Sequence, residues 1–399
     1  MTDHSILGQV ALAYSPIVDK SRAVVATRLG VFPLNGDATL DVASLLGAIG
    51  EVWPAAGPTV FLNLASESLL VAVLGAKPAK NLAIEVPAFM ASDSAVALAL
   101  GAAHANGNSL LLKGRPLKEL PRDVLPYFKH AIVDLSEERR TDAVVPQGMT
   151  RAITVVQSGV NNVADMEQSF ARGSVAVLGW PIDDAVTVAA EKDKGKVPND
   201  FQVIVQLIRQ VDLEEPTARL EATLKRDPML AFKLLRLINS PVLGVRVEVS
   251  SLAHAVMLLG YKRLKRWLAL LLATATKEPN LRPMLFAAVR RGLLMEELVR
   301  SGGDAELRSE IFICGVFSLL DRMFRQPFSD LLGTIQVPER VHMALVKNSG
   351  PFAPYMSLVN ALENGSPFDL RAASDSLMMG VQEINRAMLR ALAAAAQLD

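Results

Sequence analysis

DPMLAFKLLRLINSPVLGVRVEVSSLAHAVMLLGYKRLKRWLALLLATAT, residues Asp227–Thr276, decides the fold of the second half of the chain. Asp227 followed by Pro228 reads as an N-cap with proline at the first helical position, where a missing N–H costs nothing. Leu230, Leu234, Leu237 and Ile238 then recur at helical spacing, and Phe232 and Leu235 widen the apolar face. Asn239, Ser240 and Pro241 end that helix, and a short loop through Gly244 leads to a second cap at Ser250 and Ser251. The next helix, Leu252 to Leu259, stops at Gly260, a residue suited to a left-handed terminus. Tyr261 opens a third helix that buries Leu264, Trp267, Leu268, Leu271 and Leu272.

This ordered punctuation resembles the HDOD domain, an all-helical relative of the HD and HD-GYP metal-dependent phosphohydrolases. The resemblance is carried by DP-x-L-x-x-K-L-L-R-x-x-NSP and SSL-x-x-A-V-x-x-LG, with Asp227, Pro228, Asn239, Ser240 and Gly260 as structural positions. It extends through Ile311–Val346, which looks like the later helices of that family. A generic helical bundle would explain the periodicity but not the order of caps, stop and turn.

Working outward, the chain has 399 residues, room for two or three domains, and half of them are apolar. Lys+Arg and Asp+Glu both total 41, so the net charge is zero, which argues against a nucleic-acid partner while leaving local patches open. The single cysteine, Cys314, lies in an apolar run and reads as a small buried hydrophobe. The first residues carry no charged n-region followed by an apolar stretch, and the longest strongly apolar run, Trp267–Thr276, is too short to cross a bilayer. A cytoplasmic protein without a membrane partner is expected.

Residues 1–195 alternate short strand-like and helical segments. Strands are expected at Val10–Tyr14, Ala23–Thr27, Thr59–Leu64, Asn81–Val86, Ser109–Leu112, Ala131–Leu135, Ile153–Val156 and Val175–Leu178. Helices are expected at Leu40–Glu51, Ser66–Gly75, Ser92–Asn106 and Glu119–Leu125. Such alternation implies βα units on a parallel sheet, open or closed into a barrel. The charged Glu191–Asn199 reads as a linker, and residues 196–399 read as helical throughout. Two domains follow, 1–195 and 196–399.

The order of pieces in the first half resembles a degenerate EAL domain, the TIM-barrel-like fold of cyclic di-GMP phosphodiesterases. ALAYSPIVDKSRAVVATRL (Ala11–Leu29), VFLNLASESLL (Val60–Leu70), AIEVP (Ala83–Pro87) and AIVDL (Ala131–Leu135) stand where that family has successive motifs. The resemblance implies carboxylates and one asparagine that hold two divalent cations, which activate water. Asn63, Glu85 and Asp134 match that set. Arg28 stands in place of the first glutamate, Lys113 and Gly114 in place of paired aspartates, and Ile132 in place of a lysine. The late glutamate motif reads VQSGVNN (Val156–Asn162), without an acid, and Phe32 stands where dinucleotide-binding members keep an arginine.

Charge decides what this pocket can hold. Reversing a unit charge 4 Å from a cation replaces an attraction of about 4 kcal/mol with a repulsion of the same size. A two-metal site is therefore not expected, and Glu85 and Asn63 are expected to pair with Arg28 or Lys113. The HD side lacks its ligands as well: His4, His104, His130, His254 and His342 are scattered, and none precedes an aspartate. Lys262, Arg263, Lys265 and Arg266 form a basic cluster that could contact nucleic acid or an acidic partner, though a solvated helix face explains it more simply.

The sequence therefore points to a bacterial signalling adaptor without catalysis, cofactor or metal, acting on other signalling proteins. A receptor that binds a cyclic dinucleotide without cleaving it is the alternative, and a residual phosphodiesterase is a distant third.

Overall fold

The computed structural model describes residues 4–36, 40–116, 120–138, 153–183, 199–225, 251–274, 282–324, 327–334 and 337–396, together with Leu230, Leu234, Ile238 and Asn280. Contacts divide the chain into two compact units, one of residues 1–185 and 354–397 and one of residues 186–353.

Eight strands close the first unit into a barrel in sequence order: β1 Val10–Asp19, β2 Val24–Pro33, β3 Val60–Leu64, β4 Leu82–Pro87, β5 Ser109–Lys113, β6 Phe128–Asp134, β7 Thr154–Ser158 and β8 Ala176–Leu178. The pairs from β2 to β8 are parallel, as the βα alternation predicts. β1 runs antiparallel to both of its neighbours, β2 and β8, which that alternation does not predict. The cause is a tight hairpin. Asp19 Oδ1 accepts from the Ser21 N–H at 2.8 Å, the Ser21 hydroxyl at 2.7 Å and the Ala23 N–H at 3.0 Å, folding the chain straight back.

Both hairpin strands are ten residues long, twice the expected runs. Ser15, Pro16, Arg28 and Gly30 interrupt the apolar pattern, yet all pair in the ladder. The lower barrel interior is filled by Ile17, Ala26, Phe61, Ala83, Leu111, Ile132, Val156, Ala176 and Leu178. Because side chains alternate across a strand, the next inward position on each of β2 to β7 carries a polar group: Arg28, Asn63, Glu85, Lys113, Asp134 and Ser158.

Helices Val42–Val52, Glu67–Gly75, Ser94–Ala105 and Val163–Ala171 start at side-chain caps from Asp41, Ser66, Asp93 and Asn162. The helix expected at Glu119–Leu125 is absent over the residues described there: 120–124 are turn or irregular, followed by a single 3-10 turn at Leu125–Tyr127. Pro121 and Pro126 leave too few donors between them for a helix.

The expected division at residue 195/196 differs from the contacts at its far end. Helices Ala353–Asn364, Pro367–Leu377 and Val381–Ala396 lie almost wholly in the barrel unit, although the second half of the sequence reads as one helical domain. Buried Asn385 explains the attachment. Its amide donates to the Leu7 and Val10 carbonyls at 2.8 and 2.7 Å and accepts from the Leu12 N–H at 3.2 Å. Fewer than 200 residues precede the linker, and the barrel is completed by helices from the end of the chain.

The second unit is helical among its described residues. Leu230, Leu234 and Ile238 are helical and buried, at the spacing the sequence predicts. Asp227, Pro228, Asn239 and Ser240, and the linker 191–198, lie outside the described residues. Ser251 accepts from the His254 N–H at 3.5 Å at the start of helix Leu252–Thr274. That helix is two helices joined across Gly260, whose φ of 72° and ψ of 155° suit glycine alone. Leu264, Trp267, Leu268 and Leu271 are buried. Cys314 is fully buried, and desolvation pushes its thiol up to about 12. Among the described residues no helix is long and apolar enough to cross a membrane.

Candidate functional site

The mouth of the barrel is where the polar inward positions collect. Arg28 on β2, Asn63 on β3, Lys113 on β5 and Asp134 on β6 line a cavity of about 510 Å³, and Glu85 on β4 stands beside it. All five residues singled out by the EAL resemblance therefore meet in one place.

Their pairing fixes the chemistry. Arg28 grips Glu85 with two bonds, Nε to Oε1 at 2.7 Å and Nη2 to Oε2 at 2.6 Å. The Glu85 side chain is fully buried, so both carboxylate oxygens are committed to the guanidinium. Lys113 Nζ donates to Asn63 Oδ1 at 2.7 Å. Burial lowers the Lys113 pKa, nearby Glu85 partly offsets this, and Arg28 adds to the lowering. Asp134 Oδ1 accepts from the Ser136 N–H at 3.0 Å and its hydroxyl at 2.7 Å, and Oδ2 accepts from Ser158 at 3.3 Å. Gly159, with φ of 75°, leaves room for this carboxylate, since a Cβ there would lie 2.8 Å from Asp134 Oδ2.

The residues at the mouth do not fit the pair of divalent ions that the EAL resemblance implies. A hard cation needs several free anionic oxygens. Here one acid is held by a guanidinium and the asparagine oxygen by an ammonium, and two protein cations already stand in the pocket. Among the described residues, no group of three or more His, Cys, Asp or Glu side chains is arranged to hold a metal ion.

Other walls of the cavity escaped the sequence. Ser15, Ser158, Trp180, Glu363 and Asn364 line it. Trp180 stands edge-on to Tyr14, ring centroids 5.7 Å apart. Glu363 comes from helix Ala353–Asn364, some 350 residues from its partner Tyr14, and no local pattern could announce it. Phe32 also lines the cavity, so the rim is apolar at that point.

The basic cluster of the second unit breaks up. Lys262 and Arg263 are exposed, but Lys265 pairs with Asp212 at 2.9 Å and lies 4.5 Å from the Phe312 ring centre. The side chain of Arg266 lies outside the described residues. Lys265 serves the interior of its unit, and among the described side chains of the cluster Lys262 and Arg263 stay exposed.

A family model of the HDOD domain matches residues 197–324. Residues 197–324 are an HDOD domain. The match ends short of Val346, where the sequence resemblance was drawn, and the HDOD domain covers the kinked helix with Gly260 at its centre. Among curated proteins, the chain is 23% identical over 170 residues to the uncharacterized protein YuxH of Bacillus subtilis. It is 24% identical over 168 residues to the cyclic di-GMP phosphodiesterase CdgJ of Vibrio cholerae. Each alignment covers 42% of this chain and 41% or 39% of the relative, so the chain spans about two fifths of the length of the curated relatives it matches. Similar solved structures are Klebsiella pneumoniae BlrP1 in a calcium and cyclic di-GMP complex and a standalone EAL protein of Vibrio cholerae O395 bound to cyclic di-GMP. The first is 15% identical with a TM-score of 0.33 and covers 46% of this chain and 57% of BlrP1. The second is 16% identical with a TM-score of 0.31 and covers 43% of this chain and 89% of that protein. Scores this low carry no argument, and the barrel rests on its own eight closed strands.

Proposed function

We propose that the chain is a non-catalytic component of cyclic di-GMP signalling. An EAL-like barrel and an HDOD domain would relay a signal through contacts with other signalling proteins. The observation that carries this is the pair of bonds at the barrel mouth, Arg28 to Glu85 and Lys113 to Asn63. They occupy the groups a phosphodiesterase would turn toward metal. The HDOD domain and the name of the Vibrio relative support the signalling context. Incubating the purified chain with cyclic di-GMP and excess Mg²⁺ or Mn²⁺ tests the loss of catalysis; the expected result is no product above a blank. Turnover at an enzyme-like rate overturns it. Isothermal titration against candidate signalling proteins tests the adaptor role.

One observation favours a second reading, a receptor that binds a nucleotide without cleaving it. Lys113 has three N–H donors, faces a cavity, and is partly stripped of water, so a phosphate oxygen would find a ready partner there. Titration with cyclic di-GMP and a panel of mononucleotides checks it. No binding below the millimolar range removes it.

A further inference from the structure

We propose that helix Leu252–Thr274 carries a docking surface for an acidic amphipathic helix of a partner protein, with Met257 and Leu258 as its apolar half and Lys262 and Arg263 as its basic half. This rests on the adaptor reading and names where on the HDOD domain the contact is made.

The buried face of this helix is complete without these residues. Ala255, Val256 and Leu259 before Gly260, and Leu264, Trp267, Leu268 and Leu271 after it, are the positions it buries. A helix with such a face ordinarily turns polar side chains to solvent. Here Met257 is 66% exposed and Leu258 44%. Leu213, just past helix Asn199–Asp212, adds a third apolar side chain at 58% exposure. The residues around it are tied to the same helix: Lys265 pairs with Asp212 at 2.9 Å, and the Tyr261 hydroxyl donates to the Glu215 carbonyl at 2.8 Å. Single exposed apolar residues are ordinary on a surface, but large ones grouped on two joined segments mark a place of contact. Methionine suits that use, because its flexible, polarisable side chain adapts to the shape laid against it.

Charge selects the occupant. Within one turn beyond Gly260, Lys262 and Arg263 are exposed, and neither side chain has an ion-pair partner among the described residues, whereas nearby Lys265 is held by Asp212. Unpaired cations beside exposed apolar side chains complement a partner that is both apolar and negatively charged. Nucleic acid fits less well, since its phosphates are met by rows of cations and polar donors, and methionine and leucine offer a phosphate no bond. Glu214, next to Leu213, is also exposed and repels acids at that end, so the partner's carboxylates belong over Lys262 and Arg263. The partner is therefore a helix whose apolar residues recur at three- and four-residue spacing and whose acids gather at one end.

The test uses the full chain and a fluorescein-labelled synthetic helix with leucines at that spacing and glutamates at one end, read by fluorescence anisotropy. Saturable binding is expected, weakening as salt rises. Lys262→Glu/Arg263→Glu and Met257→Ser/Leu258→Ser should each weaken it by at least about tenfold. All of these side chains are exposed, so the melting temperatures should match the parent's. A second peptide with lysine in place of glutamate should bind Lys262→Glu/Arg263→Glu more tightly than it binds the parent, which a merely damaged surface would not produce. No saturable binding by the parent, or either double variant within about twofold of it, overturns the surface. So does displacement of the peptide by duplex DNA or by phosphatidylglycerol vesicles as readily as by unlabelled peptide, which would assign the patch to nucleic acid or to a membrane. Turnover of cyclic di-GMP would refute the non-catalytic reading without moving these affinities. A signalling protein that binds parent and both double variants alike would refute this surface and leave the adaptor role standing.

Discussion

Replacing Arg28 by methionine strips the partner from a buried carboxylate. The Glu85 side chain is fully buried and spends both oxygens on Arg28. Removing one member of a buried pair typically costs about 3–5 kcal/mol, most of it the desolvation of the charge left behind. For a unit of this size each kcal/mol moves the melting temperature by about 2–4 °C, so Arg28→Met should lower it by roughly 6–20 °C. The double variant Arg28→Met/Glu85→Leu removes both charges from a packed setting and should recover most of that loss, because an apolar pair of similar volume is often as stable as a buried ion pair. Thermal unfolding followed by circular dichroism measures the parent, the double variant and both single variants, Arg28→Met and Glu85→Leu, and the cycle isolates the coupling. A single variant within 1 kcal/mol of the parent, or a double variant no better than the single, would show that the pair is not holding the mouth together.

Other perturbations probe other links. Asn385→Leu leaves two carbonyls and one N–H without partners, at about 1–3 kcal/mol each, so urea unfolding should report a loss of about 3 kcal/mol or more. A fragment ending at residue 195 should lack a cooperative transition for the same reason. Gly260→Ala should cost about 1–3 kcal/mol although a Cβ there would meet nothing within 4 Å, since the penalty lies in the backbone; an unchanged urea midpoint would refute it. Asp321 has its pKa raised by burial, against the pull of Arg322 and Arg291, and its Oδ1 finds no hydrogen-bond partner among the described residues. A raised pKa means the fold prefers the protonated acid, so its contribution fades as pH climbs through the folded value. Asp321→Asn should therefore gain stability relative to the parent between pH 4 and pH 7, and a difference that stays flat or reverses would refute the assignment.

Much of the barrel was legible because its signals are local. Alternation of apolar strand and capped helix depends on residues a few positions apart, and Asp41, Ser66 and Asp93 announce their helices by themselves. The reversal of β1 was not legible, since it turns on one aspartate that binds three donors in a hairpin. The polar residues of the site could be named from the motif order, but their partners could not.

By itself the sequence determined the HDOD punctuation, the kink at Gly260 and the presence of cations among the barrel's acids, because propensity, capping and charge are properties of short stretches. Only the tertiary structure decided that Arg28 meets Glu85 across two strand positions, that Lys113 meets Asn63, and that the final helices return to the barrel. Those contacts join residues up to 378 positions apart, and what selects them is the burial of polar groups that must find partners wherever the fold puts them.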